Sequence, residues 1–406
     1  MIDVPDQPTA VVLGGAGGMG SMAARLASSY ADLGELVVAD LDLTAAERVV
    51  AELTPSAATQ LRAVQIDVTD AAALRALLED AQVVLNTTGP FYRLGTVVLQ
   101  AAIASQCHYM DICDDWEPTI EMLALGDAAA EAGVLAIIGL GASPGVSNLL
   151  ARLACDRLDR VDDLYTAWPI DAGTGDFTLD DASVLGSGGS AAIVHWMQQI
   201  SGTIDVVESG QRVSRPPLVP VTIDYPGFGR GTAYTVGHPE PITLHETMSV
   251  RGNSANLMLL KRSSAAYLDL VRKDLDAGRL SHEDAAAEVT NQQTRRVARA
   301  LIGALGRKGA GSLPGFFAFA RGERDGQALR IGVHLNALPV GMAGATSVPL
   351  ALGLRQWLDG RLDATGVHTP ESVIDVAPLL DGFALACTPP LDSMDELVVI
   401  NEEPAI

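Results

Sequence analysis

Between residues 9 and 148, short apolar runs alternate with Ala-rich stretches in which Leu, Val and Ala recur at helical spacing. That alternation is the pattern of β-α units wound around a parallel sheet. It predicts strands at 10–13, 35–39, 62–67, 82–86, 107–113 and 134–140, and helices at 22–30, 43–53, 71–79, 95–105 and 119–132. Six such strands make a doubly wound, Rossmann-type sheet. After residue 148 the pattern changes to a helix at 149–158 and a Gly-, Pro- and Thr-richer stretch with strands at 163–168, 203–208, 220–224 and 241–247. Polar helices at 255–276 and 283–305 follow, then strands 315–322 and 328–335 joined by a turn at Asp325-Gly326. A helix over 346–358 comes next, with Ser347 near its cap and Pro349 in its first turn. The fold class is therefore α/β, a nucleotide-type domain over 1–148 followed by an α+β domain over 149–339.

Composition narrows the partners. The chain has 406 residues and a net charge of −23, a field that repels phosphate backbones and anionic lipid surfaces. Neither nucleic acid nor a membrane surface is expected as a partner on that ground, and a small molecule is. The lysines are Lys261, Lys273 and Lys308, and no Tyr is followed four positions later by Lys, which rules out a Tyr-x-x-x-Lys active site. Cys107, Cys113, Cys155 and Cys387 form no C-x-x-C pair, and the first residues are acidic without an apolar signal core. A soluble, cytoplasmic protein is the expectation. Residues 335–354 carry no charge, but Pro339, Pro349 and several glycines interrupt them, so they read as buried core rather than a membrane span.

The strongest local pattern is Val11-Val12-Leu13-Gly14-Gly15-Ala16-Gly17-Gly18-Met19-Gly20, a strand running into a helix. Gly15, Gly17 and Gly20 fit G-x-G-x-x-G, whose glycines permit a tight turn, close approach of a pyrophosphate and close helix–strand packing. Ala16, Gly18 and Met19 complete the turn, and the helix start offers N–H groups to phosphate. Asp40 follows Gly20 by 20 residues, at the end of the second predicted strand. Its carboxylate is placed for adenosine ribose hydroxyls and against a 2′-phosphate; a turn cap is the other reading. These features predict NAD as cofactor, with NADP the alternative. Asp67 and Val68 either meet the adenine or form a turn of their own. Asn86-Thr87-Thr88-Gly89-Pro90-Phe91 ends the fourth strand at the crevice of a doubly wound sheet, where it runs along the cofactor or is a plain loop.

Alternation along 107–113 puts Cys107, Tyr109, Asp111 and Cys113 on one face and His108 on the other. The run Gly139-Leu140-Gly141-Ala142-Ser143-Pro144-Gly145-Val146-Ser147-Asn148 ends the sixth strand and enters a helix, with Ser143 as cap and Pro144 as first residue. Pro144 and Gly145 should lie beside the nicotinamide.

In this order, the glycine turn, the Asn86–Phe91 segment, His108-Tyr109-Met110-Asp111, Gly141–Asn148 and Gly366-Val367-His368-Thr369-Pro370-Glu371 resemble the saccharopine dehydrogenase family. Ser143-Pro144-Gly145-Val146-Ser147-Asn148 is most similar to its lysine 6-dehydrogenase branch. The resemblance is specific over 9–150 and 345–371 and diffuse between. It implies an NAD(P)-dependent oxidoreductase acting on a C–N bond of an amino acid, imine or opine-like substrate. It also implies a C-terminal segment, 340–406, that returns to the nucleotide domain, and a homodimer through the second domain.

Such chemistry needs one acid/base group and a cation or helix start for a substrate carboxylate. Asp111 is the first candidate for acid/base or ammonium binding, or else caps the turn after it. Tyr92 could bond the substrate or simply pack. His245, in a predicted strand, is a second acid/base candidate, or a satisfied structural histidine. Ser187 and Ser190 lie in a glycine-rich stretch suited to a carboxylate, or to a linker. Arg230 and Arg251 flank the predicted 241–247 strand and could clamp a carboxylate or merely neutralise surface acids. No pattern calls for a metal. Reduction of a C=C or ketone bond, and non-catalytic dinucleotide sensing, are the competing functions.

Overall fold

The computed structural model describes residues 4–170 and 189–405; side chains at 189–192 lie outside the description. Strand β1 (Thr9–Leu13) turns into α1 (Gly18–Ala27), which begins earlier than the predicted 22–30 because its cap is Gly17, within the glycine turn itself. Then come β2 (Glu35–Asp40), α2 (Leu43–Leu53), β3 (Gln60–Gln65), α3 (Ala71–Glu79), β4 (Val83–Asn86) and α4 (Phe91–Ala104). Asp42 and Asp70 cap α2 and α3 by accepting from N–H groups in their first turns. β5 (His108–Asp111) and β6 (Leu135–Ile137) stop short of the predicted 113 and 140, which frees 112–115 and 138–145 as loops at the strand ends. The predicted helix 119–132 is two, α5 (Trp116–Leu123) and α6 (Gly126–Glu131).

The next segment comprises α7 (Val146–Cys155), β7 (Arg160–Pro169), α8 (Gly189–Gln199), β8 (Ile204–Glu208), β9 (Gln211–Arg215), β10 (Pro220–Tyr225), β11 (Gly229–Val236) and α9 (Glu240–Met248). It continues with β12 (Ser254–Leu259), α10 (Arg262–Asp276), α11 (His282–Thr290), α12 (Thr294–Gly303), β13 (Phe317–Arg324) and β14 (Gln327–Leu335). Two expectations fail here. Residues 241–247 are a helix, because Pro241 stands in its first turn, where proline's missing N–H costs nothing. Residues 254–259 are a strand with all six positions buried, and the helix predicted from 255 starts only at Arg262, once a polar face becomes available. The predicted helix 283–305 divides into α11 and α12.

The chain continues with α13 (Gly341–Leu358), β15 (Gly366–His368) and β16 (Val398–Pro404). α13 starts before the predicted 346, so Pro349 lies inside it and Ser347 caps nothing; its Oγ donates to Met19 O at 2.8 Å. Among the described residues no helix is long and apolar enough to cross a membrane.

The chain forms two compact units, one running to Val146 and resuming over Ala337–Glu396, the other Ser147–Asn336 with Leu397–Ile406. The expected return of 340–406 as one piece therefore divides, its last strand joining the second unit. The first unit holds a seven-stranded sheet of order β15-β6-β5-β4-β1-β2-β3, all parallel, which is the doubly wound 3-2-1-4-5-6 order with a seventh strand added beside β6. Val11, Leu13, Val37, Val84, Tyr109 and Ala136 belong to one buried core with Val98 and Leu99 of α4. The second unit holds a mixed sheet of order β10-β11-β12-β7-β13-β14-β16, with β8 and β9 attached beside β12; along that path β12–β7 is the parallel pair and the others are antiparallel.

Candidate active site

The glycine turn divides its work in a way the motif alone does not show. Gly14, one residue before the motif, takes φ +72° and makes the tight turn, with Gly17 N–H donating to Gly14 O at 3.0 Å. At Gly20 a Cβ would stand 2.1 Å from Gly14 O and 2.7 Å from Thr87 Oγ1, so α1 sits this close to the turn only because a hydrogen is there. At Gly18 and Gly89 a Cβ would meet nothing within 4 Å. Neither glycine is demanded by the protein's own packing, and both border the crevice at the carboxyl ends of β1 and β4. The first N–H groups of α1, at Gly18, Met19 and Gly20, lack intrahelical partners, which suits a pyrophosphate.

Asp40 ends β2 with Oδ2 accepting from Ala16 N–H at 2.9 Å and Oδ1 from Asp42 N–H at 3.1 Å. It braces the turn, and each oxygen keeps a lone pair for a ribose hydroxyl. Thr87 ties β4 to β1, its Oγ1 donating to Leu13 O at 2.7 Å. These residues fit a bound dinucleotide. Asp67, by contrast, is exposed and accepts from Thr69 N–H and Oγ1–H at 2.9 and 2.6 Å, bonds that hold its carboxyl below the usual range. It follows β3 rather than ending it, and Val68 is buried in the core.

From Asn86 inward the strand ends are joined by a chain of side chains. Thr88 N–H and Oγ1–H donate to Asn86 Oδ1, Asn86 Nδ2 donates to Tyr109 OH at 3.0 Å, and Tyr109 OH donates to Asp111 Oδ2 at 2.7 Å. Asp111 Oδ1 accepts from Cys113 N–H at 3.0 Å and Gly139 N–H at 2.7 Å. Burial pushes the Asp111 carboxyl up to about 6, against the pull of these three donors, and pushes the Tyr109 phenol well up. Asp111 is wholly enclosed. Expected as an acid/base or ammonium-binding group or else as a cap of the turn after it, it accepts from Cys113 N–H in that turn and holds the 138–145 loop against β5. In that loop Pro144 and Gly145 are buried, with Gly141 N–H donating to Pro144 O and Val146 N–H to Gly141 O; the partly exposed residues are Ala142 and Ser143. Pro144 precedes rather than begins α7. Pro90 caps α4, and Tyr92, half-exposed in the first turn, has its backbone N–H bonded to Asp115 Oδ2 at 3.2 Å.

The second-unit candidates do not assemble. His245 lies in a helix, not a strand, with Nδ1 3.0 Å from Val250 O just past the helix end. Arg230 is 76% exposed and pairs across β10–β11 with Asp224 at 3.6 Å. Arg251 precedes β12, its backbone N–H donating to Val161 O at 3.1 Å, and no contact among the described residues brings it to Arg230. Ser187 lies outside the described residues, as does the side chain of Ser190.

A polar cluster that the sequence reading passed over is buried in this unit. Glu240 Oε1 accepts from Ser147 Oγ–H at 2.9 Å and Asn256 Nδ2 at 2.7 Å. Asn256 also donates to Thr166 Oγ1 at 2.9 Å and accepts from Trp168 Nε1–H at 2.8 Å. His238 Nδ1 lies 3.4 Å from Glu240 Oε2, and its ring packs against Trp168 with centroids 5.4 Å apart. The available signal was Gly237-His238-Pro239-Glu240, two titratable residues astride a proline that opens a helix.

The sheet order, glycine turn and strand-end carboxylate define a dinucleotide-binding domain. Residues 10–137 match the saccharopine dehydrogenase NADP binding domain. A carboxyaminopropylagmatine dehydrogenase from Synechocystis sp. is 22% identical over 91% of this chain and 94% of its own length. The apo saccharopine dehydrogenase (L-Glu forming) from Saccharomyces cerevisiae shares the fold over 98% of this chain and 100% of that one, with a TM-score of 0.55 at 15% identity. The first unit thus carries a saccharopine dehydrogenase-type dinucleotide-binding domain, and the whole chain is similar to dehydrogenases of that kind.

Proposed function

We propose that the chain moves a hydride between a nicotinamide dinucleotide and the C–N bond of an amino-acid-derived amine, imine or opine-like substrate, lysine-type deamination being one member of that class. The observation that carries this reading is the crevice of the first unit, shaped for a dinucleotide, in a chain whose relatives along its whole length are named carboxyaminopropylagmatine dehydrogenase and saccharopine dehydrogenase. The bound nicotinamide supplies a two-electron acceptor or donor. Gly18, Met19 and Gly20 receive the pyrophosphate, Asp40 the ribose hydroxyls, and Thr88, Gly89 and Pro90 line the path toward Ala142 and Ser143. Asp40 favours NAD over NADP by repelling a 2′-phosphate. Asp111 and Tyr109 act as positioning groups for the crevice loops, and Tyr92 offers a hydroxyl to the substrate. A net charge of −23 favours a cationic amine.

The test is absorbance at 340 nm with NAD or NADP and a panel of carboxyaminopropylagmatine, saccharopine, lysine and diamines, with ammonia assayed in parallel. Cofactor reduction without ammonia identifies an opine-type secondary amine; reduction with ammonia identifies a deaminase. Turnover confined to ketones or enones would overturn the C–N assignment.

A further inference from the structure

Within the first unit, α13 lies beside α1 and runs in the same direction. Three contacts advance in step along both helices and the turn after α1: Ser347 Oγ donates to Met19 O at 2.8 Å, Tyr30 OH donates to Ala351 O at 3.1 Å, and Arg355 pairs with Asp32 at 2.7 Å. Further along α13, Gly353 packs on Leu140 and Met110, and Trp357 meets His108, the first residue of β5, with ring centroids 5.6 Å apart. The helix therefore passes from the carboxyl edge of the sheet to its amino edge, and α1 and α13 both start at the crevice. From Gly344 onward most of α13 is buried, but Met342 in its first turn is 39% exposed and Val340 just before it 61%.

We propose that Met342 is the wall against which the nicotinamide ring of the bound dinucleotide packs. This rests on the dinucleotide part of the reading above and not on which bond is oxidised. The first support is position. A Cβ at Gly141 would stand 3.2 Å from Thr346 Cγ2, so that face of α13 is held against the 138–145 loop. Met342 is four residues earlier on the same face, ~6 Å further along the helix and past the strand ends.

The second support is where the first unit leaves large apolar side chains in water. Leu41 follows Asp40 at the end of β2, Tyr92 stands in the first turn of α4 after β4, and Val340 and Met342 open α13; all four are exposed, and all four stand at the carboxyl edge of the sheet. A dinucleotide carries a flat ring at each end and its charge in the middle. Leu41 lies at the Asp40 end of the crevice, Tyr92 and Met342 toward the other, and the glycine turn between them. A thioether is polarisable and packs well on an aromatic ring. The third support is charge: residues 335–354 carry none, so this wall is neutral. Against a neutral, apolar wall the uncharged reduced ring is favoured over the cationic oxidised one, which loses hydration there.

The test compares NADH with ADP-ribose, which keeps every part of the dinucleotide except the nicotinamide ring. By calorimetry, Met342→Ala should weaken NADH about tenfold and leave ADP-ribose within about twofold of wild type, while Met342→Leu restores NADH binding. Met342→Glu should shift the ratio of NAD to NADH affinity at least ~fivefold toward the oxidised form, because its carboxylate acts on the one part of the ligand whose charge differs between the two. NADH affinity unchanged in Met342→Ala, equal losses for NADH and ADP-ribose, or an unshifted ratio in Met342→Glu overturns the proposal. If the wild-type chain binds the dinucleotide but turns over only ketones or enones, the C–N reading falls and Met342 keeps its role; if it binds neither NADH nor NADPH, both fall.

Discussion

The two sheets handle polar chemistry in opposite ways. In the first unit the central strands are largely apolar and two of their polar side chains, Asn86 and Asp111, stand at the carboxyl ends, side by side in register on β4 and β5. In the second, Thr166 and Asn256 lie inside the sheet, paired across β7 and β12, with Glu240 and His238 buried beside them. A site at strand ends is served by loops and can be altered with little harm to the core. A site inside a sheet shares its hydrogen bonds with the core, where every polar group must keep a partner. Substitutions in the two places should therefore fail differently, one in binding and the other in stability.

The sharpest way to break this contrast is Gly20→Val, whose side chain would drive α1 away from Gly14 O. Dinucleotide affinity by calorimetry should fall at least ~100-fold; unchanged affinity would remove the turn from the site. Asn256→Ala strips partners from Glu240, Trp168 and Thr166, and urea unfolding should show a loss of about 3 kcal/mol with dinucleotide affinity unaltered.

Asp111 tests the boundary between the two behaviours, because it is a strand-end group that is fully buried. Its carboxyl is raised from 3.8 to about 6, so between those values the folded chain holds a proton that the unfolded chain has lost. Its contribution to stability is present below pH ~4 and is lost as pH rises through ~6. The stability of Asp111→Asn relative to wild type should accordingly rise by on the order of 2 kcal/mol from pH 4 to pH 7, measured by denaturant melts across that range. A flat difference would mean that the carboxyl is not raised. Last, Gly89→Ala meets no protein atom within 4 Å and should leave stability within about 0.5 kcal/mol while weakening dinucleotide binding about tenfold. Equal affinity would show that the backbone there does not touch the cofactor.

The same contrast explains what the sequence disclosed. The parallel half was legible because each apolar run is bounded by turn residues and followed by a capped helix, as at Asp42 and Asp70. β15 was missed because Gly366-Val367-His368 is too short to show a period. β12 was missed because its six buried residues run almost directly into the periodic pattern of α10. The glycine turn and Asp40 could be read locally. The enclosure of Asp111 could not, since one of its donors is Gly139, 28 positions away, and Glu240 owes its setting to Ser147, 93 positions away. Periodicity reports which face is buried but not which distant N–H or hydroxyl will arrive to meet a carboxylate.

β16 runs antiparallel to β14 from Leu335↔Val398 to Leu329↔Pro404, although the residues just before it belong to the first unit. During vectorial synthesis, β14 waits with one edge bare while more than sixty further residues are made. A nascent second unit is thus a sheet with an unpaired edge, the kind of surface that recruits strands from other molecules. Ribosome-bound chains stalled before residue 398 should bind holdase chaperones through that edge, and a synthetic peptide of sequence 398–404 should compete for it.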